Sequence, residues 1–121
     1  MKTKKITTTL FVGLFLACLS AQEGLDAQKM AEYQSREMAK ELKLNDAQQG
    51  RIEAINLKYA KKMFAIREAD GGMFGKMGEI KALKKAKHTD LEAVLTPDQM
   101  EKYREELEPK FRRYFRKQMG P

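Results

Sequence analysis

The sequence predicts an all-α protein built from four helices, and three observations predict it. The composition favours Ala, Leu, Met, Glu, Lys, Arg and Gln, with no Trp and few β-branched residues, and these are strong helix formers. Apolar residues recur at spacings of three and four along most of the chain, which places them on one face of a helix. Start and stop signals separate the segments: two capping boxes, a glycine-rich stretch and two prolines, Pro97 and Pro109.

The first twenty residues stand apart from this pattern. Lys2, Lys4 and Lys5 precede an apolar run from Leu10 to Leu19, small residues Ser20 and Ala21 follow, and the chain then turns polar. That order describes a secretory signal peptide over residues 1–21, cleaved near Ala21–Gln22. The run is too short to cross a bilayer, which takes ~20 residues. Cys18, the one cysteine, offers a lipidation site. Phe15 and Leu16 before it fit a lipobox poorly, so a discarded leader is the better reading than a lipid anchor. Export to the periplasm follows as the expectation, and the mature chain then has no thiol. Removing the three leader lysines lowers the formal charge from +7 to +4, too little to argue for nucleic acid. No later segment is apolar enough to span a membrane. Residues 22–121 therefore form one small domain with a thin core, which dimerisation would enlarge.

Within it, the first helix is expected over about 26–42, capped by Asp26, with Ala27, Met30, Ala31, Met38 and Leu42 on its inner stripe and residues 22–25 frayed. The second covers about 45–70. Asn45 and Gln48 form its capping box, Leu44 staples it, and Ile52, Ile55, Tyr59, Met63 and Ile66 make the core face. Gly71–Gly72 end it, and 70–78 reads as a flexible loop. The third helix spans about 79–94, with Ile80, Leu83, Leu91 and Val94 on a stripe that Lys87 interrupts. The fourth spans about 96–117. Thr96 caps it, Pro97 takes its first position and Gln99 completes the box. Met100, Tyr103 and Leu107 face inward, and Phe111, Tyr114 and Phe115 continue the pattern. Pro109 is expected to kink or break it, and residues 118–121 to be disordered.

The two boxes, Leu44-Asn45-Asp46-Ala47-Gln48 and Leu95-Thr96-Pro97-Asp98-Gln99, lie 51 residues apart. At that offset Ile52 matches Tyr103 and Phe64 matches Phe115. An internal repeat explains this, and so does the generic likeness of amphipathic helices.

These paired motifs, on a short helical chain with a leader, resemble the LTxxQ (Spy/CpxP) family of periplasmic chaperones and stress regulators. The second motif matches in full; the first has Asn45 where the family has Thr, and Asn caps a helix equally well. The resemblance implies a curved, hairpin-like protomer in an antiparallel, cradle-shaped homodimer. It also implies ATP-independent holding of partly folded proteins on a basic, apolar surface.

The residues offer their own candidates. At about 100° per residue, Arg51, Lys58 and Lys62 line one flank of the second helix. Leu57 and Phe64 fall on a second, smaller apolar patch, with Lys61 beside it. Cations attract acidic unfolded chains and apolar groups hold them, and the flexible methionines suit varied partners. The same residues also suit an ordinary solvated face or helix packing. Catalysis has little basis. His88 is the one histidine and reads as solvated among lysines; Glu105, Glu106 and Glu108 point apart on a helix; the glycine-rich segment lacks a P-loop's hydroxyl residue. No cofactor, no metal and no catalytic residue is expected. Three readings follow. The leading one is a holdase for unfolded proteins. The alternative is a regulator docking on the sensor domain of an envelope-stress kinase, and the last is a structural envelope component.

Overall fold

The computed structural model describes residues 25–120; the leader and Cys18 lie outside them. Helix α1, Ala27–Glu41, starts where the Asp26 carboxylate accepts the Lys29 backbone N–H at 2.8 Å. It buries Met30, Ala31, Gln34 and Met38. Leu25 packs against the core instead of fraying. The helix ends with Lys43 in the left-handed region, φ 53°, and the Leu44 N–H donating to the Ala39 carbonyl at 3.1 Å. That is the six-to-one bond of a Schellman turn, which usually places glycine where Lys43 stands.

Helix α2, Asp46–Glu68, opens on the expected box: Asn45 Oδ1 accepts the Gln48 N–H, and Gln48 Oε1 accepts the Asn45 N–H. Its buried face is Ile52, Asn56, Tyr59 and Ala60, while Ile55, Met63 and Ile66 are half-buried. The face is thus rotated slightly from the one the apolar letters mark, because Asn56 is fully buried. Its Nδ2 donates to Ser35 Oγ at 3.0 Å and its Oδ1 has no partner.

A turn at Gly71, φ 141°, leads into helix α3, Met73–Glu92. The expected loop over 70–78 is therefore mostly helix, beginning six residues before Glu79. Gly75 and Gly78 weaken but do not forbid helix. Lys76 steadies the turn by donating from Nζ to the Arg67 carbonyl.

The fourth helix starts as α4, Pro97–Lys102, passes through a π-helical turn, Tyr103–Leu107, and continues as α5, Glu108–Met119. Pro109 does not stop it. The turn before it takes up the missing donor, with the Glu108 N–H reaching five residues back to the Tyr103 carbonyl. Gln118 and Met119, expected to be disordered, are helical, and Arg67 Nη2 donates to the Met119 carbonyl.

The helices run up, down, up, down. Lys102 and Lys110 of the fourth helix hold Glu41 and Glu37 of α1; Arg104 and His88 link it to α3 through Glu92 and Glu108. Tyr33 stacks on Tyr114 at 3.9 Å between ring centroids. One core joins all four around Met38, Leu42, Ile52, Leu91, Leu95, Met100, Tyr103 and Leu107.

The two capping motifs meet inside this bundle. Gln48 Nε2 donates to Gln99 Oε1 at 2.8 Å and to the Val94 carbonyl at 3.1 Å, while Gln99 Nε2 donates to the Leu42 carbonyl at 3.0 Å. Each glutamine thus completes its own cap and ties down the backbone leading into the other. Further along, Phe64 and Phe115 meet edge to face at 5.6 Å. Residues 51 apart therefore pair at both ends of α2 and the fourth helix, which run side by side in one direction.

Candidate binding surface

Arg51, Lys58, Lys61 and Lys62 are all exposed on α2. Lys58 is not free: its ammonium pairs with Asp90 of α3 at 2.9 Å and lies 4.8 Å from the Tyr59 ring centre. The Tyr59 hydroxyl donates to the same carboxylate at 2.7 Å. The Tyr59 and Lys58 hydrogen bonds hold the Asp90 carboxyl below its ordinary range, and that bond in turn raises Lys58. This cation thus serves mainly to fasten α3 to α2.

Leu57 and Phe64 do not share a hollow. Leu57 lines an open hollow of about 900 Å³ between α1 and α2, beside Ala31, Ser35 and Ala54. Phe64 packs against Phe115 and lines a different opening, a cleft of about 400 Å³ between α2, α3 and the fourth helix. Helical position alone put the two on one side of α2; the neighbouring helices decide what each one meets.

This cleft joins residues the sequence left scattered. Met63, Phe64, Leu83 and Phe115 line its half-buried walls. Four cations, Lys84, Lys87, Arg112 and Arg116, line it against a single carboxylate, Glu108. Glu108 is already engaged, at 2.7 Å from His88 Nε2 and 3.7 Å from Lys84 Nζ. His88, expected to be solvated, is tucked against Glu108 with its side chain only 18% exposed.

The deep end of the cleft is polar. Lys87, which breaks the apolar stripe of α3, turns inward and donates to Gln34 Oε1 at 3.3 Å. Burial pushes its pKa down to about 8, with the Glu108 charge working against the shift. Tyr103 is 2% exposed, with the Lys87 ammonium 6.0 Å from its ring centre and His88 edge-on to it. Burial, and then the Glu108 charge, raise its pKa.

At the open end, α3 carries apolar side chains into solvent: Met73 is 72% exposed, Phe74 91%, Met77 59% and Ile80 38%. Met73, Met77 and Ile80 stand at i, i+4 and i+7, so they share a stripe that runs on through Lys84 and Lys87 into the cleft. The loop expected over 70–78 hid this stripe, because side chains in a loop have no common face. The signal was present in the spacing of Met73, Met77 and Ile80.

Among the described residues, no three His, Cys, Asp or Glu side chains are grouped to hold a metal ion. None of the described helices is long and apolar enough to cross a membrane.

A family model described as a domain of unknown function, DUF4890, matches residues 20–103, well over half of the chain. Neither the curated proteins nor the solved structures include a match.

Proposed function

Since the chain belongs to the DUF4890 family, whose description assigns no activity, we propose its role from its own surface: it holds unfolded or partly folded polypeptides in the periplasm, without ATP or cofactor. The observation that carries this reading is the solvent-facing row Met73, Phe74, Met77 and Ile80, interleaved with Lys76, Lys81, Lys84 and Lys85. A contiguous exposed apolar strip is a common mark of a binding surface. Methionine side chains bend to fit varied shapes, and the cations draw acidic chains from a distance. Arg51, Lys61 and Lys62 extend the positive field along α2, while Leu57 and Phe64 add apolar contacts. The LTxxQ resemblance points the same way, and the cradle-shaped homodimer it implies belongs to this reading.

The test is suppression of aggregation of reduced insulin. Near-stoichiometric protein is expected to suppress it, and the Phe74→Ser/Met77→Ser double variant to need several-fold more protein for the same effect. Both side chains are exposed, so the variant should melt like the parent. No suppression at several-fold excess sinks the reading. Raising salt through the range where the Debye length falls from ~10 Å to ~3 Å should slow capture; salt-indifferent capture removes the lysines from the account.

A further inference from the structure

The cleft has a built polarity that a polypeptide strip does not require. Its deep end holds the Tyr103 side chain and the Lys87 ammonium, which lies 6.0 Å from the Tyr103 ring centre and donates its hydrogen bond to the neutral Gln34 amide. A half-buried cation whose hydrogen-bond partner is neutral favours an anion placed beside it. Glu108 acts on Lys87 only through its field, since its direct contacts are with His88 and Lys84. Outward from this floor the walls are Phe64, Phe115 and Leu83, and beyond the mouth the α3 stripe continues through Ile80 to Met77. Polar groups thus gather at one end of the cleft and apolar surface extends from it in one direction.

We propose that this cleft binds one single-chain anionic amphiphile, a long-chain fatty carboxylate, head first. The carboxylate sits between Lys87 and Tyr103 and accepts a hydrogen bond from each. The hydrocarbon lies against Phe64, Phe115 and Leu83 and leaves along Ile80 and Met77. The volume, about 400 Å³, falls in the small-ligand range of roughly 300–1,000 Å³. A peptide segment suits the space less well, because its N–H and C=O groups recur at every residue and the apolar walls at Phe64, Phe115 and Leu83 offer them no partners. The positive lining, four cations to one engaged acid, selects an anion over a neutral lipid. This goes beyond the holdase reading and does not rest on it.

Calorimetric titration of the purified protein with oleate, below the concentration at which oleate forms micelles, tests the proposal. Oleyl alcohol serves as the uncharged probe with the same tail. Oleate is expected to saturate at one molecule per chain. Lys87→Gln should weaken oleate about tenfold, the effect of one lost charged hydrogen bond, and leave oleyl alcohol unchanged. Lys117→Gln, an equal charge change outside the cleft, should leave both unchanged. Should Lys87→Gln fail to fold, Tyr103→Phe removes only the hydroxyl and should weaken oleate severalfold. Non-saturating uptake, equal weakening by Lys117→Gln, or oleate affinity indifferent to both cleft variants overturns the proposal. Insulin aggregation read on the same samples separates this outcome from failure of the holdase reading.

Discussion

The two ends of the bundle solve opposite problems. At one end the turns before α2 and α4 come together and their capping groups are all partnered: two capping boxes close, and Gln48 and Gln99 bond to each other and to the neighbouring backbone. At the other end α3 starts on Gly72 with no side-chain cap, carries two glycines in its first turns, and leaves Phe74 91% exposed. A lysine whose hydrogen-bond partner is a neutral amide lies in the cleft behind it. The first end is arranged for stability. The second keeps groups exposed or unpaired that packing alone would have removed, as sites of binding often do.

Breaking the capped end should have the largest effect. Gln99→Ala removes a cap, the bond to Gln48 and the bond to the Leu42 carbonyl, and is expected to lower stability by about 2–3 kcal/mol. Chemical denaturation measures this. Gln48→Ala combined with it should fall short of the sum of the two single losses, because the side chains share one network; strict additivity would show that the two motifs are merely adjacent.

The open end should respond in the other direction. Lys87→Met removes a half-buried cation and should stabilise by about 1 kcal/mol, after the lost Gln34 bond is counted. The pH dependence has a matching sign. With the folded pKa depressed to about 8 against an ordinary 10.5, the Lys87 penalty is complete below pH 8 and fades as pH rises toward 10.5. The stability of the parent relative to Lys87→Met should therefore improve over that window, which melting curves from pH 7 to 10 would show. A gap that stays constant would mean that Lys87 reaches water freely.

The smallest change sharpens the comparison most finely. A Cβ added at Gly75 or Gly78 meets open space, so each glycine-to-alanine change should stabilise α3 by up to about 1 kcal/mol. Slower hydrogen exchange at residues 76–82 would report it, while amides near Gln48 and Gln99 stay as they were.

The capped end was readable in the sequence because capping is local: Thr96, Pro97 and Gln99 interact within one turn, so their spacing states their geometry. The bond between the two glutamines was hinted at only by the 51-residue offset, since a contact across the bundle leaves no local trace. Much of the open end was not readable. Glycine at 71, 72, 75 and 78 suggested a loop where α3 in fact begins, because tertiary packing and the Lys76 contact outweigh a weak intrinsic preference. Gln34, Asn56 and Lys87 face inward from positions where polarity argued for solvent. His88, surrounded in sequence by lysines, finds its acid twenty residues away. Leu57 and Phe64 share a side of α2, but only the arrangement of the neighbouring helices could separate them.

The π-helical turn at Tyr103–Leu107 also sets the phase of the last helix. Tyr103, Leu107, Phe111 and Phe115 follow one another at intervals of four. In a regular α-helix each such step drifts by about 40°, and over three steps Phe115 would swing roughly a third of a turn away from Tyr103. The wider turn absorbs much of that drift in one place, so both rings reach the same cleft. The exposed Glu105 and Glu106 act in effect as a shim, and a change in residue number there would re-aim the cleft wall while leaving the glutamine clasp untouched.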